Sequence, residues 1–163
     1  MSTRDHFVAR FGGVFEHSPW IAEAAYDAGL PDALTVDGVH GVLCAVLRTA
    51  PHRAKLALIV AHPDLAGKLS RAGALTAASS AEQASAGLDR LSDSDFDTFT
   101  ALNAAYTEKF AMPFIMAVKG RRPDEILAAF ETRLLNDPET EFGTALSEIE
   151  KIAMLRIQEI MKP

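Results

Sequence analysis

An all-α fold is predicted for this chain by three features of its sequence. Apolar residues recur at helical spacing over most of its length, alternating strand-like stretches are scarce, and Gly or Pro breaks the pattern at short intervals. With 163 residues, 48% of them hydrophobic and 23% charged, the chain is long enough to bury a core and ordinary in composition for a packed domain. The expectation is a single domain over 1–163, with about seven to nine helices and one short extended loop near residues 113–120.

The elements follow in order from these breaks. The first segment runs to Gly12-Gly13. Glu16-His-Ser-Pro-Trp20 then reads as a helix start, with Ser18 as N-cap, Pro19 at the first helical position and Trp20 packing inward. Between Pro31 and Pro51 lies the apolar run Val42-Leu43-Cys44-Ala45-Val46-Leu47. Its lone cysteine reads as a small buried hydrophobe, can form no internal disulfide, and fits a reducing compartment. The next segment ends in Ala57-Leu-Ile-Val-Ala-His62-Pro63. A residue before proline is pushed out of the helical region, so His62 is predicted at a helix end. Beyond a break over residues 73–80, Ser79-Ser-Ala-Glu82 has the spacing of a capping box at a helix start. Leu88, Leu91, Phe96, Phe99, Leu102 and Phe110 continue at roughly helical spacing up to Pro113, where the extended segment begins. Ile126, Ala129, Phe130 and Leu134 mark a helix between Pro123 and Asp137-Pro138. Leu146, Ile149, Ile152, Ala153, Ile157 and Ile160 mark the last one. Met112 and Met116 read as ordinary packing.

The same sequence excludes several function classes. Net charge is -6, and no basic cluster exceeds Arg121-Arg122, which argues against nucleic acid as a partner. No apolar stretch approaches the ~20 residues of a membrane span. The first residues carry charges without a signal-peptide core, and Ile-Met-Lys-Pro is not a peroxisomal address, so the cytoplasm is expected. The five histidines, at 6, 17, 40, 52 and 62, form no His-x-x-x-His pair, and Cys-x-x-Cys and HExxH are missing. Phosphate cradles such as GxxxxGK[ST] or GxGxxG are missing too. Neither metal nor cofactor is expected.

Four positions are candidates for chemistry, each with a purely structural alternative. His62 suits general acid/base work near neutral pH, or it is a helix-terminal histidine favoured by the carbonyl end of the helix dipole. Glu82 and Gln83 could present a carboxylate and an amide to a ligand, or belong to the capping box alone. Arg156 interrupts the apolar stripe of the last helix, three residues after Ala153 and four before Ile160. A guanidinium there needs an internal carboxylate or an anionic ligand, because an unpaired buried charge costs several kcal/mol.

Taken together, the motifs resemble a known family. Glu16-His-Ser-Pro-Trp20, His62-Pro-Asp-Leu-Ala-Gly-Lys68, Ser79-x-x-Glu82-Gln83 with Ala86-Gly-Leu, Leu102-Asn-x-x-Tyr106, Lys109-Phe110, Pro113-Phe-Ile115 and Glu148-Ile-x-Lys-Ile-x-x-Leu-Arg156 are similar, in order, to those of the OHCU (2-oxo-4-hydroxy-4-carboxy-5-ureidoimidazoline) decarboxylases. The resemblance covers about residues 7–160. It implies an all-helical, cofactor-independent carboxy-lyase, usually a homodimer, that forms (S)-allantoin from its small-molecule substrate at the end of urate breakdown. It implies that His62 is the catalytic acid/base beside Glu82. Pro63 would wall the pocket, Ser79 and Gln83 would touch substrate, Arg156 would bind it, and backbone groups around Phe114 and Ile115 would contribute hydrogen bonds. One departure stands out: Ala111-Met112 replaces a glycine and an aromatic residue common in the family, and a glycine there suggests close approach or unusual dihedrals. The competing readings are a non-enzymatic helical interaction module and a related acid/base lyase or hydrolase for another ureido or imidazole compound.

Overall fold

The computed structural model describes residues 1–67 and 73–163; Lys68, at the end of the His-Pro motif, lies outside the described residues. Eight helices occur among the described residues, with no strand. They are α1 (Thr3–Phe11), α2 (Trp20–Ala28), α3 (Val36–Thr49), α4 (His52–Ala61), α5 (Ala77–Ser85), α6 (Asp93–Phe110), α7 (Pro123–Arg133) and α8 (Pro138–Ile160). The all-α expectation holds because the punctuation works as read. Pro51, Pro123 and Pro138 stand at helix starts, where a missing N–H costs nothing, and α4 stops at Ala61, one residue ahead of His62-Pro63.

Two helix starts differ from the sequence reading. Ser18 does not cap α2: its Oγ donates to the Glu16 carbonyl at 2.8 Å, the helix begins at Trp20 without a side-chain cap, and Trp20 is half-buried. Nor does Ser79 open α5. Thr76 is the N-cap, its hydroxyl accepting from the Ser79 N–H at 3.2 Å, which places Ser79 in the first turn. Thr76 and Ser79 stand three apart, as Ser79 and Glu82 do, so the capping signal is real and its frame is three residues earlier.

The chain divides into two compact units, residues 1–61 with 149–163, and residues 62–148. The first unit packs α1 on α2 and α2 on α3. Phe7, Phe11, Ile21, Ala25, Val39, Leu43 and Leu47 are buried there, as are Ile149, Ala153 and Ile157 from the end of α8. Cys44 is buried among them, and desolvation pushes its thiol pKa up to about 12, so it is a packing residue rather than a nucleophile.

The second unit is built on aromatic rings. Phe114 stacks on Phe130 with centroids 3.7 Å apart, and Tyr106 meets both rings edge-on. Pairs of this kind add about 0.5–1.5 kcal/mol beyond the area they bury. The expected extended segment is there: residues 113–118 have no regular structure and end in a turn at Gly120, whose φ of +79° suits glycine.

Candidate active site

His62 stands directly behind α4 and is 8% exposed. The chain turns sharply after it. Ala66 takes a left-handed φ of +52°, a conformation that costs a non-glycine residue about 1–3 kcal/mol and persists only where the surroundings impose it. Gly67 follows, and a Cβ there would sit 2.9 Å from the Cβ of Asp64, so the close approach requires glycine. Burial raises the pKa of the Asp64 carboxyl above its usual value.

What imposes the turn comes from α5 and α6. Gln83, buried on α5, uses both ends of its amide: Oε1 accepts from the Ala66 N–H at 2.9 Å, and Nε2 donates to the Asp64 carbonyl at 3.2 Å. Asn103, buried on α6, donates from Nδ2 to the Leu65 carbonyl at 2.9 Å. Three successive residues behind His62-Pro63 are thereby tied to two helices. The Oδ1 of Asn103 is buried without a hydrogen-bond partner among the described residues. Such an orphan costs about 1–3 kcal/mol, which matches or exceeds the ~1 kcal/mol gained from the bond at the other end.

Helix α5 also carries Ser79 and Glu82. With Gln83 they follow the three- and four-residue spacing that puts side chains on one helix face. Ser79 and Gln83 are buried and Glu82 is half-buried. The second unit thus brings the turn behind His62 and the Ser79-x-x-Glu82-Gln83 helix together through the Gln83 amide.

A second polar cluster fixes the segment 113–118. The Arg133 guanidinium donates from Nη1 to the Ile115 carbonyl at 2.6 Å and from Nε to Glu141 at 2.8 Å, and its carbon lies 4.2 Å from the Phe114 ring centroid. Glu141, with no exposed surface, also accepts from the Tyr106 hydroxyl at 2.6 Å and from Asn136 at 3.0 Å. Burial, aided by the bond to Glu141, raises the Tyr106 pKa and keeps that hydroxyl a donor. The Phe114 ring and the Ile115 carbonyl are therefore held internally.

Arg156 belongs to the other unit. It is buried, with Nη2 donating to Glu16 Oε1 at 2.9 Å and Nη1 to the Val14 carbonyl at 3.1 Å. Of the two partners that its place on an apolar stripe left open, a carboxylate or an anionic ligand, the structure supplies a carboxylate, Glu16, itself 2% exposed. A cleft of about 430 Å³ in that unit, between α1 and residues Tyr26, Leu30 and Leu34, includes none of the predicted site residues. Among the described residues, no group of three or more His, Cys, Asp or Glu is arranged to hold a metal. No helix of the described residues is long and apolar enough to cross a membrane.

Sequence reasoning missed the residues that hold the candidates in place. In the sequence Glu16 is only part of a helix start, and Asn103 only part of a motif. Arg133 and Glu141, eight residues apart across Asp137-Pro138, gave no periodic signal. A charged residue on an apolar stripe, the sign that singled out Arg156, was the one general clue available.

Known proteins agree with this architecture. The family model described as OHCU decarboxylase matches residues 1–158. The chain is 44% identical to 2-oxo-4-hydroxy-4-carboxy-5-ureidoimidazoline decarboxylase from Haloferax volcanii, across 95% of this chain and 89% of that protein. It is 38% identical to the protein of the same name from Halalkalicoccus jeotgali, across 98% and 88%. Among solved structures, the crystal structure of (S)-allantoin synthase superposes with a TM-score of 0.78 and 28% identity, covering 98% of this chain and 51% of that one.

Proposed function

The chain belongs to the OHCU decarboxylase family, and from that premise we propose that His62 and Glu82 carry out its decarboxylation of 2-oxo-4-hydroxy-4-carboxy-5-ureidoimidazoline to (S)-allantoin. The chain is a carboxy-lyase of urate degradation. The observation that supports this site is the tie between the His62 turn and α5: Gln83 binds the backbone at both Asp64 and Ala66, although 20 residues separate His62 from Glu82.

The chemistry asks little of a protein beyond orientation and proton handling. The substrate carbon that bears the carboxylate also bears a hydroxyl, and it adjoins an imine carbon bearing the ureido group. When the bond to carbon dioxide breaks, its electron pair forms a double bond between the two ring carbons, and the imine pair passes to nitrogen, which takes a proton. The hydroxyl proton then leaves, the carbonyl forms, and a proton added to one face of the ureido-bearing carbon sets the (S) configuration. The substrate thus contains its own electron sink.

His62, steered by Glu82, handles the hydroxyl proton, and general acid/base catalysis of this kind contributes about 10²–10⁴-fold. Pro63 walls the substrate, and Ser79 and Gln83 hydrogen-bond to it, Gln83 using the amide hydrogen not given to Asp64. Backbone groups around Phe114 and Ile115 supply further hydrogen bonds. Arg156, whose planar fork Glu16 and the Val14 carbonyl orient, binds the anionic rim. The working form is a cytoplasmic homodimer, for which sedimentation at a mass of two chains is the expected result.

To test the site, OHCU is generated in place from urate with urate oxidase and the intermediate hydrolase, and the circular dichroism of the allantoin is followed. Wild-type protein gives rapid growth of the (S) signal. His62→Ala, folded as judged by its far-ultraviolet spectrum, loses turnover by about 10²-fold or more. Near-normal turnover in that variant removes histidine from the mechanism.

A further inference from the structure

Asn103 stands out as a buried amide on α6 with an unusual hydrogen-bond balance. One end, Nδ2, is committed to the Leu65 carbonyl at 2.9 Å; the other, Oδ1, is buried with no partner among the described residues. A residue selected for stability alone would not leave an acceptor in that state, because the orphaned end offsets the bond made at the other. The single bond it makes falls on the middle residue of the Asp64–Ala66 stretch, between the two backbone groups held by Gln83. The next residue, Ala66, is in the left-handed region that an alanine does not adopt unaided.

We propose that Asn103 is a positioning residue for catalysis, acting through the Leu65 carbonyl to fix the turn behind His62-Pro63 and hence the direction of the His62 ring. The inference rests on the role given to His62 above. The physical reason is the leverage of a short tether. His62 is three residues from Leu65, Pro63 between them has a fixed φ, and Gln83 holds the turn on both sides of Leu65, so a shift at Leu65 is absorbed where freedom remains, at His62. General acid/base catalysis depends steeply on such placement, and an error near 1 Å costs on the order of 10²-fold.

The test is Asn103→Leu, which keeps size and removes the donor together with the orphaned acceptor. The expected result is a kcat lower by about 10- to 100-fold with KM within about twofold, while the thermal midpoint stays within a few degrees of wild type. The His62 imidazole resonance, identified by its loss in His62→Ala, titrates with a displaced midpoint. A merely structural residue would lower the thermal midpoint and leave the kcat of the folded fraction and the His62 titration unchanged. Should the leucine variant not fold, Asn103→Ala is read by the same criteria, since it too removes both the donor to the Leu65 carbonyl and the orphaned acceptor. Wild-type kcat in either folded variant overturns the proposal. If wild-type protein itself does not turn over OHCU, the assigned reaction fails instead. The positioning role is then judged by the His62 titration alone, and an unmoved midpoint overturns it.

Discussion

Ala111 is where a single departure in the sequence acquires a conformational meaning. It caps α6 with φ +56° and ψ +32°, and its N–H bonds to the Thr107 carbonyl, a left-handed C-terminal cap of the kind that glycine usually supplies. The substitution of alanine for the family's common glycine was legible in the sequence; that the position is left-handed was not, because no periodicity reports a φ angle. The left-handed region costs an L-residue roughly 1–2 kcal/mol, and glycine returns about 0.4–1 kcal/mol of that through the entropy of the unfolded chain. Ala111→Gly is therefore expected to stabilise the protein by about 0.5–1 kcal/mol and raise the thermal midpoint by about 1–4 °C in a calorimetric scan. An unchanged or lower midpoint would show that the cap is not strained.

Helix α5 shows what element-level reading can and cannot do. Its existence and the shared face of Ser79, Glu82 and Gln83 were legible, since these residues have helical spacing. Its start was misread because Thr76 and Ser79 offer the same capping geometry three residues apart, and local sequence does not decide between them. The structure assigns the cap to Thr76. Thr76→Ala is expected to cost about 1 kcal/mol, within the usual 0.5–2 for a lost cap, and Thr76→Asp to retain most of it. Thermal melts of the two variants decide this: equal midpoints would return the cap to Ser79. The anchors of the His62 turn stayed hidden for a different reason. Asn103 looks like an ordinary polar helix position and Gln83 like an amide aimed at a ligand, while the backbone groups they hold lie 38 and 17–19 residues away in the chain.

At the scale of the whole molecule, the Arg156–Glu16 pair joins residues 140 apart within one unit. Sequence reasoning reached half of it, demanding a carboxylate or anionic ligand for Arg156 but having no means to choose the partner. Breaking a buried pair by removing one member typically costs about 3–5 kcal/mol, because the other charge is left in the interior. Arg156→Ala is expected to lower the thermal midpoint by roughly 6–20 °C, besides weakening substrate binding. A variant melting with wild type would show that Glu16 is satisfied without it. The same unit combines residues 1–61 with 149–163, so its two parts are separated by the whole of the other unit. On the ribosome, where chains grow at about 5–20 residues per second, residues 1–61 therefore wait roughly 5–20 s for the end of α8 to be made. During that interval Phe7, Phe11, Leu43 and Leu47 lack the aliphatic residues with which they complete a core, and this nascent segment offers apolar surface to a chaperone.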